Sequence, residues 1–265
     1  MKKFLRKIPF VSDAFRYMRA YLMAARRPKR NRLGFYINGN FDQSQGVYEI
    51  EIANYLKANY FRFDRVINIG ANIGYWPLFL RNLKYTGRID AIEPDFYNFK
   101  QLKKNIAHND FTEIVLHNKA VSNTQEKIKL YGFGTGISSL DGWAGGFSKR
   151  QQQVDCIKLD DLLDDNYKKT LLIIDVEGGE LDVLKSGKNF LNDDIEVLVE
   201  ITLVEHVPSG NLVNPNFAKT FDLMESYKFL PYAWVSELSL INNDKILAII
   251  NGEIFPSIQM YCFKK

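Results

Sequence analysis

The chain has 265 residues, 46% of them hydrophobic and 25% charged, with two cysteines and a formal net charge of +4. That composition excludes a wholly disordered chain, a collagen-like one, a protein that crosses a membrane many times, and a disulfide scaffold. A chain of this length buries roughly 70–75% of its unfolded surface, enough for one large core.

The charge is uneven. Residues 1–34 hold eleven Lys or Arg against one acid, Asp13, a net +10, while the rest carries 24 bases against 30 acids. A nucleic-acid enzyme more often carries its basic charge around the active site, so no nucleic-acid partner is expected. The basic start lacks the roughly 20 apolar residues needed to span a bilayer, and Arg6, Lys7 and Pro9 interrupt any signal-peptide core. From Ser12, a good N-cap, the spacing of Val11, Phe15, Met18, Leu22 and Ala25 predicts an amphipathic helix flanked by arginines. Such a helix reads as a contact with an anionic membrane surface, and the alternative is a helix docked on its own domain. The expected organisation is a basic N-terminal segment over 1–34 and one domain over 35–265. The expected location is cytoplasmic, with peripheral contact at the inner membrane surface. Cys156 and Cys262 lie in apolar runs without zinc-ligand spacing and read as buried, inert thiols, which fits a reducing compartment.

In the body, residues 48–60 suit a helix with Ile50, Ala53, Leu56 and Tyr60 on its apolar face. Strands and helices then alternate. Strands are expected at 65–70, 88–94, 113–122, 126–131, 171–178 and 196–201, and helices at 74–84, 95–108 and 179–191. Three more strand-like runs follow near 228–235, 246–250 and 258–264. This alternation, with several continuously apolar strands, predicts a mostly parallel sheet covered on both faces.

Three features place a ligand on that sheet. The turn Gly70-Ala71-Asn72-Ile73-Gly74 follows the first strand and lets backbone approach a bound molecule closely. Glu93 ends the second strand, where a carboxylate typically accepts both hydroxyls of a ribose. Asp175 ends the strand expected beside the first, at a topological switch point. The turn lacks the dinucleotide G-x-G-x-x-G pattern, and the chain lacks the phosphate-binding Lys loop. A ligand with a ribose but no phosphate fits better, and S-adenosylmethionine is such a ligand.

At these residues a family resemblance emerges. VINIGANIGYW and AIEPDFYNFKQLKKNI resemble the first two motifs of the FkbM family of S-adenosylmethionine-dependent methyltransferases. KAVSN with EKIKLY, GTGISSL, VDCIKLDDLL and LLIIDVEGGELDVLKSG resemble the later landmarks, the last being the most diagnostic. The resemblance covers roughly 65–201. It implies a class I, Rossmann-like α/β fold with a seven-stranded, mostly parallel sheet. It also implies S-adenosyl-L-methionine as cofactor, with Asn68, Gly70, Asn72, Gly74, Glu93, Pro94, Ser122 and Asp175 toward it. Two positions depart from the family's pattern. Asn68 stands where Asp is usual and offers no charge, and Ile173 stands where Lys is common.

The resemblance implies O-methylation, commonly of sugars or related natural products. A lipid-linked or small-molecule acceptor and a non-catalytic cofactor-binding module are the alternatives. A sugar hydroxyl is scarcely ionised at neutral pH and needs a base, worth about 10²–10⁴-fold. The candidates for a base or a metal ligand are Asp175, Glu177, Glu200 and His206, with Asp175, Glu177 and His206 favoured for catalysis. Glu200 could join Asp175 and Glu177 as a hard oxygen ligand for magnesium, but since three carboxylates are the whole case for a metal, none is expected. His108 and His117 read as structural. Trp143, among Gly142, Gly145 and Gly146, suggests a loop over the cleft.

Overall fold

The computed structural model describes residues 18, 21–23, 25–132, 137–139, 151–203 and 214–265. Its centre is an eight-stranded sheet. The strands are β1 (Arg65–Ile69), β2 (Arg88–Ile92), β3 (Ile114–His117), β4 (Thr170–Ile174), β5 (Ile195–Glu200), β6 (Leu230–Trp234), β7 (Leu238–Leu240) and β8 (Met260–Lys264). Their spatial order is β3-β2-β1-β4-β5-β8-β6-β7. From β3 to β5 every pairing is parallel. β8 runs antiparallel to both β5 and β6. The order is that of a class I methyltransferase sheet with one addition. The expected seven strands become eight because Leu238–Leu240 pairs onto the β6 edge as a short hairpin.

The central strands are apolar on both sides because both sides are covered. Along β4, Leu171 and Ile173 enter one core and Leu172 and Ile174 the other, and all four are fully buried. The first core is closed by helices α1 (Ile50–Asn59), α2 (Tyr75–Asn82) and α3 (Phe96–Ala107), through Leu56, Leu78 and Leu102. The second is closed by α4 (Glu180–Lys185), α5 (Phe217–Ser226) and α6 (Asn243–Ile250), through Leu184, Phe221 and Ile249. Each such side chain contributes roughly 1.5–3 kcal/mol by leaving water.

Several expectations are corrected. The run at 246–250 belongs to helix α6, where Ile246 and Ile249 face the core and Asn242 caps Lys245 N–H at 3.0 Å. A short apolar run does not distinguish strand from helix by periodicity. The helix expected over 179–191 stops at Lys185, and a separate 3-10 turn follows at Phe190–Asn192. The strand expected over 113–122 divides into β3 and a two-residue piece, Ala120–Val121. On α1 the buried residues are Ile52, Ala53, Tyr55 and Leu56, and Ile50 is exposed, so the apolar face is rotated from the one expected. Cys262 is buried, whereas Cys156 is only half-buried.

In the N-terminal segment Met18, residues 21–23 and Ala25 are helical, with Met18, Tyr21 and Leu22 exposed. The body grips this segment through Asn38, whose amide donates to the Met23 carbonyl, and through Lys104, which donates to the Ala25 carbonyl at 2.9 Å. The remainder of that predicted helix lies outside the described residues. Among the described residues no helix is long and apolar enough to cross a membrane.

A buried ion network ties neighbouring strands away from the cleft. Asp90 on β2 pairs with Arg65 on β1 and with Arg88, each at 2.8 Å, and with His117 on β3 at 2.9 Å. These three partners hold the Asp90 carboxyl far below the usual carboxylate range against the cost of burial. His117 is therefore structural, as expected.

Candidate functional site

The strand order reverses between β1 and β4, so the loops leaving their carboxyl ends diverge and open a crevice. A cavity of about 690 Å³ occupies it, bordered by Gly70 after β1, Glu93 after β2, Asp175 after β4 and Glu200 at the end of β5. Asn72, Pro94, Ser122 and Glu177 also lie on its wall. Seven of the residues expected at the cofactor or the chemistry, Glu177 among them, therefore border one cavity.

The first turn is built by backbone. Gly70 and Ala71 N–H groups both donate to the Ile92 carbonyl at 2.9 Å, which draws the turn over the end of β2. Asn72 has a left-handed φ of 49° and donates its N–H to Glu93 Oε2 at 2.8 Å. Asp95 N–H donates to Glu93 Oε1 at 2.8 Å. Glu93 is thus held at both oxygens by backbone donors, and its carboxyl is nevertheless pushed up to about 8, first by burial and then by the neighbouring Asp95 charge. Asn98 Nδ2 also donates to Oε1 at 3.5 Å, and since a carboxylate has about four lone-pair sites, one on Oε2 remains for a hydroxyl donor.

Two expected cofactor residues stand elsewhere. Gly74 is off the cavity wall and starts α2 with φ of 89°, where a Cβ would come within 2.5 Å of Leu102 Cδ1. Its absent side chain serves helix packing. Asn68 is buried in β1, off the cavity wall, with Oδ1 unpartnered.

The opposite end of the cavity is acidic. Asp175 and Glu200 share a side-chain hydrogen bond. Burial and the Glu200 charge raise the Asp175 carboxyl well above its ordinary range. Burial lifts Glu200 to about 7, and burial plus Asp175 lifts Glu177 to about 7. Glu177 has φ of 52°, and its Oε2 is buried without a partner. Ser138 Oγ donates to the Glu177 carbonyl at 2.6 Å, so the GISSL segment braces the acidic turn. Among the described residues no group of three or more His, Cys, Asp or Glu is arranged to hold a metal ion. His206 and the loop around Trp143 lie outside the described residues. Tyr75 and Trp76 are core residues, and Phe96 is exposed.

Sequence reasoning missed Glu49 and Tyr48, which also border the cavity from the start of α1. Burial raises Glu49 to about 7 against the opposing influence of the Tyr48 hydroxyl. No spacing signal marks them, because the fold of α1 alone brings them to the strand ends.

The residues fit S-adenosylmethionine. Glu93 offers an acceptor for a ribose hydroxyl, the Gly70 turn borders the cavity, and the acidic end suits a cation. No phosphate-binding Lys is needed.

The family model described as Methyltransferase FkbM domain matches residues 68–231. Solved structures that resemble the chain include a precorrin-6y C5,15-methyltransferase from Geobacter metallireducens, at 11% identity and TM-score 0.44, covering 83% of this chain and 92% of that one. An rRNA methylase from Streptococcus thermophilus gives 9% identity and TM-score 0.41, with coverage of 82% and 96%. A human methyltransferase 10 domain containing protein gives 11% and 0.40, with 81% and 80%. The comparison with curated proteins finds no match.

Proposed function

Given that the chain belongs to the FkbM methyltransferase family and takes its methyl group from S-adenosylmethionine, we propose that it methylates a hydroxyl group of a carbohydrate or glycan. The observation that supports this acceptor is the acidic end of the cavity, where Glu177 and Glu200 are carboxyls poised near neutrality beside Asp175, whose carboxyl burial and the Glu200 charge raise well above its ordinary range. A sugar hydroxyl must lose its proton as it reacts, and a base with a pKa near the operating pH does this best.

When bound, S-adenosylmethionine supplies a methyl group on a positively charged sulfur. The protein's part is to bind, orient and accept a proton. Glu93 would hold the ribose, fixed at both oxygens by backbone donors. Asp175 and Glu177 would take the acceptor's proton, with Glu200 sharing a hydrogen bond with Asp175. The cavity excludes bulk water from the carboxyls, which is why their protons bind tightly.

The test is methyl transfer from radiolabelled S-adenosylmethionine into separated glycan, RNA and protein fractions, with mass spectrometry of the product. The expected result is an O-methyl ether in the glycan fraction. Asp175→Asn or Glu177→Gln should lower turnover by about 10²-fold or more while cofactor affinity changes less. Label only in amines, protein or RNA overturns the proposal. Wild-type turnover in both variants moves the base to His206.

A lipid-linked acceptor is the second reading, favoured by the exposed Met18, Tyr21 and Leu22 within a segment rich in Lys and Arg. Each basic residue near an anionic leaflet contributes about 1 kcal/mol. Salt-reversible sedimentation with anionic but not neutral liposomes supports this reading, and indifference to both removes it.

A further inference from the structure

Glu49 and Glu177 come from distant parts of the chain yet share three properties. Both have left-handed backbone, with φ of 42° and 52°. Both carry a buried Oε2 with no hydrogen-bond partner. Both border the same cavity. A left-handed conformation costs a non-glycine residue free energy, and an unmet buried carboxylate oxygen costs more. At Glu49 the fold returns nothing for either cost, since its side chain does not cap α1, the helix it precedes. A bound group facing the cavity would meet the free oxygen.

The surroundings say what kind of group. Glu49 lies close enough to Asp175 and Glu200 for their charges to act on one another. Glu93 interacts instead with Asp95, Asn72 and Asn98. The cavity therefore has a ribose end at Glu93 and an acidic end at Glu49, Asp175, Glu177 and Glu200. The lining cations among the described residues, Lys119 and Lys129, come from the segment after β3, whose Asn118 donates to the Glu93 carbonyl at 2.9 Å. Four carboxyls gathered at one end are complementary to positive charge and repel an anion.

Glu49 is also held in place. The neighbouring Tyr48 hydroxyl favours the ionised Glu49 carboxyl. The Tyr48 ring packs edge-on against Tyr75 at 5.0 Å and tilted against Trp76 at 5.9 Å. Behind them, Ile52 and Leu56 of α1 are fully buried. The carboxylate is thus presented from a packed element.

We infer that Glu49 is a cofactor-touching residue, which holds the positively charged, methionine-derived end of S-adenosylmethionine while Glu93 holds its ribose. The inference rests on the family's use of that cofactor and adds a site residue upstream of the region matched by the family model. Glu49 makes the enzyme distinguish ligands by charge at the end where the methyl leaves.

Calorimetric titration tests this without any acceptor. The full chain, Glu49→Gln and Glu49→Asn are each titrated with S-adenosylmethionine, S-adenosylhomocysteine and 5′-methylthioadenosine, which lacks the amino-acid portion. Both variants should bind S-adenosylmethionine at least about tenfold more weakly, the scale of one partly buried charge pair. Affinity for 5′-methylthioadenosine should stay within about twofold of the wild type. Glu49→Asn should also melt at a higher temperature than wild type, because Asn tolerates the left-handed region, and it keeps the test available if Glu49→Gln does not fold. Equal weakening for all three ligands means Glu49 only supports the fold, and the inference fails. Unchanged affinity for S-adenosylmethionine in either folded variant also overturns it. No binding of S-adenosylmethionine by the wild type overturns the cofactor reading together with this one.

Discussion

Gly70 lies so close to the backbone of Asp175 that a Cβ at Gly70 would sit 1.7 Å from the Asp175 carbonyl oxygen. Asp175 N–H in turn donates to the Ile69 carbonyl at 2.9 Å, so the ends of β1 and β4 are drawn together where the cavity opens. The glycine is needed first by the protein's own backbone and only then by a ligand. Its φ of 79° adds a second reason, since a side chain there is strained whatever the space.

Gly70→Ala is therefore expected to destabilise the fold by more than about 3 kcal/mol, the scale of overpacking combined with an incompatible backbone. Chemical denaturation of the purified variant measures it. A variant that folds with wild-type stability and only loses cofactor would contradict this account.

Glu93 leads to a different expectation. Each of its oxygens already accepts a backbone N–H, from Asn72 and from Asp95. A glutamine has one carbonyl oxygen, so either orientation turns its NH₂ group toward one of those donors. Glu93→Gln should weaken S-adenosylmethionine by about 1–3 kcal/mol, through loss of a buried acceptor for ribose. Calorimetry on the folded variant decides this, and wild-type affinity would remove Glu93 from the ribose.

The sequence and the structure agree best where the chain's chemistry is local. The strand at 171–178 was legible because both of its faces are apolar, those at 65–70 and 88–94 as short, largely apolar runs closed by a glycine turn or a proline, and Glu93 and Asp175 because they follow such strands directly. Gly74 was legible as a required glycine but not in its reason, since Leu102, which would meet its side chain, is 28 positions away. Ile50 was placed on the buried face because a 3.6 periodicity fits it, whereas the docking of α1 buries Ile52 and Tyr55 in its stead. Glu49 was invisible because its role depends on that docking and on no neighbour in sequence except Tyr48. The strand read at 246–250 failed for a simpler reason, that five apolar residues in a row carry no period.

Stability should depend on pH in a direction set by the buried acids. Glu49, Glu177, Glu180 and Glu200 titrate near 7 and Glu93 near 8 in the folded chain, each raised chiefly by burial. A carboxyl raised on folding stabilises the fold fully below its unfolded value and loses that contribution as pH climbs through the folded value. Asp90 works in the opposite sense. Its carboxyl is depressed, so its contribution is present above its unfolded value and is lost as the solution becomes more acid. The melting temperature of the apo protein should therefore be highest near pH 5 and fall toward pH 8. Saturating S-adenosylmethionine should shrink the fall, since a cation favours the ionised acids. Differential scanning fluorimetry across pH 4–9 checks both, and a melting temperature rising steadily from pH 5 to 8 would show that these acids are ionised in the fold without cost.

β8 is the last of the eight strands to be synthesised, yet it lies between β5 and β6 and bonds to both. Until residue 264 has left the ribosome, the parallel half of the sheet and the β6–β7 hairpin cannot join, and each keeps an open edge. Tyr261, Cys262 and Phe263, all buried in the finished sheet, fill the gap from both faces. A transcript cut short by a handful of codons before Met260 would thus yield two sticky fragments of sheet on one chain, and quality control would have an unmistakable substrate.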